Sequence, residues 1–192
     1  MRVNGISGKG IKASHLNEDF LDFLDFLQQV DPDNKSFVIE IHESLMEKGC
    51  KIKISSTKAY PFQVAYTMPN SRKGILNFWL RKKGLKVRVT IVDENKHADL
   101  LNRLPEVMKS QIEKKNPCRE INGQGKCYDN CTGAFDFHIR GTHYQRCLYD
   151  CFQFDVDTES IPFFTELLEQ EFKARRAKSV TNSDDEGVVN GH

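Results

Sequence analysis

The chain has 192 residues, of which 39% are hydrophobic and 29% are charged. This length suffices for one domain with its own core, or for one domain and an appendage, and the composition is ordinary for a globular protein. The chain opens without the apolar segment of a signal peptide, and no apolar run approaches the ~18 residues that span a bilayer. We therefore expect a cytoplasmic protein with no membrane partner, in a reducing compartment where clustered cysteines more often bind metal than form disulfides.

The formal net charge of +1 hides an uneven distribution of charge. From Lys48 to Val92 the chain carries eleven Lys and Arg and no Asp or Glu, so the remainder has 17 basic residues against all 27 acidic ones. Segregation of this kind indicates a basic surface that faces an anionic partner.

The first 14 residues lack any periodicity and are predicted to be a disordered basic tail. A helix then follows from an N-cap at Asn17, and Asp31-Pro32 ends it. Its apolar face is predicted to contain Phe20, Leu21, Phe23, Leu24, Leu27 and Val30. A second helix is predicted up to Lys48, with an apolar face formed by Phe37, Val38, Ile41, Leu45 and Met46.

Apolar and polar residues alternate with a period of two in four segments, at 50–55, 62–68, 75–84 and 85–92. Such alternation predicts four half-buried strands in an antiparallel meander, with the two helices packed on its apolar side. The polar side of the sheet should then present cations around the single tryptophan: Lys51, Lys53, Trp79, Arg81, Lys86 and Arg88. These residues could hold phosphates and stack a base, or could form a solvated face that the second half of the chain covers.

A helix is predicted after this sheet, with a kink or a new start at Pro105, and His97 within it is predicted to be a surface residue. A strand follows at 152–156, and a final helix has Ser160 as its N-cap. The prediction is therefore an α+β domain over 15–176, with a cysteine-rich subregion at 118–156 and a disordered tail at 177–192.

Five of the six cysteines lie between residues 118 and 151, around a segment that resembles a hairpin. Cys127 and Cys131 form one pair with three intervening residues, and Cys147 and Cys151 form a second. Zinc takes four ligands from such pairs, so we predict a closed structural zinc site. Plain reduced thiols, an iron–sulfur cluster, disulfides and catalytic thiol chemistry are the alternatives.

The fourth ligand is a choice between Cys118 and Cys151. If residues 147–151 formed one continuous strand, the Cys147 and Cys151 sulfurs would lie ~13 Å apart, and only a turn at 148–150 would let them share a metal. We favour Cys118, Cys127, Cys131 and Cys147, with Cys151 as the alternative. A zinc with an open position could also use Glu120, His138 or His143.

The run of Cys118-Arg-Glu, then CYDNC at 127–131, GAFDF at 133–137 and YQRC at 144–147 resembles a group of uncharacterised bacterial proteins with a CKRL, CNPxC, GYxF and GxxYxKC pattern. The RKKG turn at 81–84 and the LP pair at 104–105 are also similar, and the likeness would extend over most of 20–175. This chain departs from the group in Asp129-Asn130 and in the additional Cys151. The resemblance supports the ligand choice and implies no activity.

Three functions fit these observations. The first is a zinc-stabilised, non-enzymatic binding module whose basic sheet face binds an anionic partner such as nucleic acid. The second is an enzyme or small-molecule sensor that uses a cysteine-bound zinc or a reactive thiol. The third is a protein-interaction domain. We favour the first.

Overall fold

The computed structural model describes residues 18–56, 58, 61–69, 71, 73–125, 127, 131 and 133–184. The predicted N-terminal tail (1–14) and residues 185–192 of the predicted C-terminal tail lie outside these ranges. The fold within them is α+β, as predicted. The strands are β1 (Lys51–Ser55), β2 (Phe62–Thr67), β3 (Gly74–Arg81), β4 (Gly84–Val89), β5 (Ala134–Ile139), β6 (Thr142–Cys147) and β7 (Gln153–Asp155).

Two N-terminal helices, α1 (Glu18–Gln29) and α2 (Pro32–Glu47), precede the sheet. Asp31 separates them, because its carboxylate accepts a hydrogen bond from the Asp33 N–H at 3.0 Å and so caps α2. Among the side chains of α1 that the structure describes, from residue 23 onward, the apolar face differs from the prediction in two residues. Leu24 is 38% exposed, whereas Phe26, which the predicted face omits, is fully buried. Phe26 lies between Phe23 and Val30 at helical spacing, so all three side chains point into the core.

The main sheet has the order β1-β2-β3-β4-β7, with every neighbouring pair antiparallel. The four-stranded prediction therefore needs a correction, because β7 adds a fifth strand beside β4. Phe154 explains the addition: it lies opposite Val87, is fully buried, and brings its ring within 5.8 Å of the Phe164 ring. This pairing extends the apolar side of the sheet by one strand.

Helices α1, α2 and the C-terminal α5 (Ile161–Asp184) cover the apolar side of this sheet. Phe78 at the centre of β3 lies between Phe26 and Phe37, with both ring centroids at 6.1 Å. Phe37 in turn packs on Phe164 of α5 at 5.8 Å. The core is thus a layer of aromatic rings between sheet and helices. Helix α5 continues to Asp184, beyond the boundary predicted at residue 176.

The connection from β4 to β5 contains a 3-10 helix (Glu94–His97), α3 (Ala98–Asn102) and α4 (Glu106–Glu113). Pro105 starts α4 anew and does not kink a continuous helix. Strands β5 and β6 form the predicted hairpin through Arg140-Gly141, and both turn residues have positive φ, 49° and 80°. A two-residue turn of this kind matches the right-handed twist of the strands. Within the described residues, none of the helices combines the length and apolarity needed to cross a bilayer.

Candidate functional site

The strand register places all six predicted anion-binding residues on one side of the main sheet. Lys53 lies opposite Ala65, Ala65 opposite Asn77, and Asn77 opposite Arg88. Directly opposed residues share a face, and so do residues two apart in one strand. This side carries Lys51, Lys53, Trp79, Arg81, Lys86 and Arg88, and we call it the polar sheet face.

A second row crosses the same face and brings the tryptophan next to a cation. Gln63 lies opposite Trp79, Trp79 opposite Lys86, and Lys86 opposite Asp155 of β7. Strands are about 4.8 Å apart, so Lys53 on β1 and Arg88 on β4 are separated by about 14 Å, with Trp79 on the strand between β2 and β4. The face therefore combines a ring near its middle with cations on both sides.

Exposure varies across the polar sheet face. Lys51 and Lys53 on the edge strand β1 are exposed, whereas Trp79, Arg81, Lys86 and Arg88 are half-buried. Lysines on an edge strand also hinder edge-to-edge pairing of sheets, so their position has a structural use as well.

The turn at 148–150 covers the β4 end of the face. The Tyr149 ring lies 5.5 Å from the Arg88 guanidinium carbon, a cation–π contact. Lys86 makes an ion pair with Asp155 at 2.7 Å, and the Lys86 side chain is only 17% exposed. The part of the polar sheet face with exposed cations is therefore the β1 end.

Two cysteines of the predicted zinc site, Cys118 and Cys147, lie beside and at the end of β6. Cys118 is buried beside this strand, and its N–H donates to the Gln145 carbonyl at 3.4 Å. Cys147 ends β6 and is half-buried, as is Cys131, and Cys127 is exposed. Cys50 is buried elsewhere, in the main core.

Residues 148–150 form the turn on which the Cys151 alternative depends. The N–H groups of Asp150 and Cys151 both donate to the Cys147 carbonyl, at 3.2 and 3.0 Å, and Lys115 pairs with Asp150 at 3.0 Å. Because these residues turn, the Cys147 and Cys151 sulfurs are not held ~13 Å apart as they would be in one continuous strand. However, Cys151 is fully buried, and burial raises the pKa of its thiol well above the ordinary value, although Arg146 and Lys115 lower it in part. A bound zinc would itself deprotonate a thiol that coordinates it, so Cys151 stays the alternative fourth ligand.

No three His, Cys, Asp or Glu side chains within the described ranges are arranged to hold a metal ion. Residues 126, 128–130 and 132, which flank Cys127 and Cys131, lie outside those ranges. The zinc site at Cys118, Cys127, Cys131 and Cys147 therefore stays a prediction.

The two histidines of the hairpin face outward. His138 and His143 are paired across β5 and β6 with their rings stacked at 4.8 Å. His143 Nε2 lies 2.6 Å from an Asp136 carboxylate oxygen, and Gln145 donates to the other oxygen at 2.8 Å. These hydrogen bonds, first from Gln145 and then from His143, lower the pKa of Asp136. The arrangement fixes the outer surface of the hairpin.

His97, predicted to lie on the surface, is instead 1% exposed, and that prediction is wrong. Its Nε2 lies 2.7 Å from a carboxylate oxygen of Glu171, which is also 1% exposed. The other Glu171 oxygen accepts from the Val92 N–H at 3.1 Å and from Arg175 Nε at 2.7 Å. Arg175 also donates to the carbonyls of Gly74 and Thr90 at the end of the sheet. The network ties α5 to the 3-10 helix and to β3 and β4.

The pKa values of this pair shift in opposite directions. Burial lowers the pKa of His97, but hydrogen bonds to Glu171 and Gln170 outweigh it and the pKa is raised. Burial raises the pKa of Glu171, but hydrogen bonds from His97 and Arg175 leave it lowered. In the sequence, the position of Glu171 on the buried side of α5 was the only indication of this network. Its partner His97 lies 74 residues away, so no local pattern links the two residues.

No family model, curated protein or solved structure matches this chain.

Proposed function

We propose that this chain is a non-enzymatic module that binds single-stranded nucleic acid on the polar sheet face, with a zinc ion holding the cysteine segment in place. The observation that carries the proposal is the register, which brings Lys51, Lys53, Trp79, Arg81, Lys86 and Arg88 onto one surface. Within the described strands of the main sheet, Asp155 at the far edge is the one acidic residue of that surface.

The spacing on the face suits a strand of nucleic acid that crosses the sheet. Lys51 and Lys53 would hold phosphates at the exposed β1 end, and a base would stack near Trp79 on β3. Stacking requires an unpaired base, because the bases of a duplex are already stacked on one another. A tryptophan on the sheet face therefore favours single strands over duplex.

The predicted zinc would contribute to this surface indirectly. Cys147 ends β6 and starts the turn that carries Tyr149 over Arg88, and the Lys115–Asp150 ion pair holds the same turn. Cys118, Cys127, Cys131 and Cys147 as thiolates would close a tetrahedral site of the structural type. A metal there would stabilise the turn and with it the covered end of the face.

Fluorescence titration tests the proposed function. Trp79 is the single tryptophan of the chain, so its emission responds directly to a ligand on the polar sheet face. We expect single-stranded DNA or RNA to quench Trp79 and a duplex of the same sequence to bind more weakly. Lys51→Gln with Lys53→Gln should weaken binding, whereas Lys35→Gln, at a lysine of α2 on the helical side of the sheet, should not.

Two outcomes would contradict the proposal. One is no binding of any nucleic acid at low ionic strength, where electrostatic affinity is greatest. The other is equal or tighter binding of polyglutamate, which would assign the face to acidic protein partners instead.

A further inference from the structure

A groove of about 410 Å³ lies between α5 and the segment formed by the 3-10 helix and α3. Lys96, Asp99 and Lys173 line it with exposed side chains, Leu100 supplies an apolar wall, and Gln170 and the buried His97 lie beneath. The volume falls in the ~300–1,000 Å³ range of small-molecule sites. The groove is on the helical side of the protein, apart from the polar sheet face.

The hydrogen bonds of His97 determine its charge. Nε2 contacts a carboxylate oxygen of Glu171 at 2.7 Å, and Nδ1 contacts the Gln170 amide oxygen at 3.2 Å. The Gln170 amide nitrogen is occupied by donation to Glu166 at 3.2 Å, so its oxygen is the atom directed at His97. Both partners are acceptors, and both ring nitrogens must therefore donate. A ring that donates from both nitrogens is an imidazolium.

The buried charges around His97 balance one another. Glu171 faces both the His97 imidazolium and the Arg175 guanidinium, and Asp93 places a second carboxylate near His97. The charge that a ligand in the groove meets is therefore the charge of the rim.

The rim of the groove is positive. Within the part of the chain that the structure describes, neither Lys96 nor Lys173 has an ion-pair partner, although other surface lysines such as Lys48 and Lys109 do. Asp99 is the one acidic residue among those that line the groove. Two ammonium groups therefore outweigh a single carboxylate.

We propose that this groove binds a small organic anion, with a phosphate or carboxylate group between Lys96 and Lys173 and an apolar body against Ala174 and Leu100. The two ammonium groups recognise the charge, and the His97 imidazolium beneath them is held in place by Glu171 and Gln170. The half-buried Ala174, next to Leu100 in the lining, supplies the apolar surface that favours a ligand larger than an inorganic ion. The site does not depend on nucleic-acid binding by the sheet.

Two-dimensional amide NMR of the full chain tests the site, with phenyl phosphate, benzoate and the uncharged benzyl alcohol as probes at constant ionic strength. Amide shifts should cluster at 96–100 and 170–174 with at least one of the two anions and not with benzyl alcohol. Comparison of the two anions distinguishes a phosphate site from a carboxylate site. The double variant Lys96→Gln, Lys173→Gln alters only exposed side chains and should bind roughly tenfold more weakly.

The sheet variant Lys51→Gln, Lys53→Gln is the matched control and should bind the same anion with unchanged affinity. The proposal is overturned if neither anion shifts the groove amides at millimolar excess. It is equally overturned if the shifts persist in the groove variant and disappear in the sheet variant, because the anion would then bind the polar sheet face.

Discussion

Replacement of Glu171 by glutamine should destabilise the protein more than any exposed charge change on the same helix. The carboxylate accepts three hydrogen bonds, from Val92, His97 and Arg175, and the whole Glu171 side chain is 2% exposed. The amide of glutamine is neutral and turns an NH₂ group toward one of these donors. Loss of one partner from a buried charge pair costs about 3–5 kcal/mol, a large part of the ~5–15 kcal/mol that stabilises a typical domain.

Thermal and urea unfolding measure this cost. For a domain of this size, 3–5 kcal/mol corresponds to a decrease in Tm of about 10 °C. Glu169→Gln is the matched control: Glu169 pairs with Lys48 at 2.7 Å on the surface, with 38% of its side chain exposed. Exposed pairs contribute roughly 0.2–1 kcal/mol, so that variant should unfold close to the wild type.

The dependence on pH checks the same reasoning. Glu171 has a lowered pKa, so its contribution is present above the ordinary value of 4.5 and is lost as pH falls through the native pKa. His97 has a raised pKa, so its contribution is complete below 6.5 and is lost as pH rises through the native pKa. The difference in unfolding free energy between the wild type and Glu171→Gln should therefore be greatest between pH 4.5 and pH 6.5. An equal loss of stability in the Glu171 and Glu169 variants would refute the account of the buried network.

Three further predictions follow from the core and the cysteine segment. Metal analysis of purified protein should find about one zinc per chain, and removal of the zinc by a chelator should reduce the hydrogen-exchange protection of amides in the cysteine segment. If the protein contains no metal and every cysteine reacts with a thiol reagent, the zinc site is eliminated. Cys118→Ser should release the zinc, whereas Cys151→Ser should retain it, because the predicted ligand set contains Cys118 and Cys151 packs in the hydrophobic core; the reverse result would make Cys151 the fourth ligand. Phe26→Ala should cost about 3–5 kcal/mol in urea unfolding and Leu24→Ala under about 1 kcal/mol, since only Phe26 is fully buried; similar values would contradict the observed face of α1.

The alternation of the sequence was sufficient to predict the sheet and its two faces. Side chains in a strand alternate strictly, so the apolar Val64, Phe78 and Val87 on one side determine that Ala65, Trp79 and Lys86 lie on the other. The relative order of the first four strands followed from their short connections. Strand β7 could not be assigned in this way, because its three residues pair with β4 through contacts remote in sequence.

Local patterns could not reveal the environment of individual polar groups. His97 lies among charged residues that suggest a surface helix, and only the position of α5 shows that Glu171 and Gln170 enclose it. The turn at 148–150 is a similar case. Its contact between Tyr149 and Arg88 joins the cysteine segment to the polar sheet face, and no periodicity in either segment predicts it.

The salt dependence of nucleic-acid binding is the most direct measurement of the central claim. Fluorescence anisotropy of a labelled single-stranded oligonucleotide, repeated over a series of salt concentrations, gives the slope of log K against log salt. This slope is negative, and its magnitude should fall by about 1 for each phosphate contact removed in Lys51→Gln and Lys53→Gln. Trp79→Leu should weaken binding by about 1–3 kcal/mol and leave the slope unchanged, because stacking releases no counterions. Identical affinity and slope in the wild type and all three variants would contradict the assignment of binding to the polar sheet face.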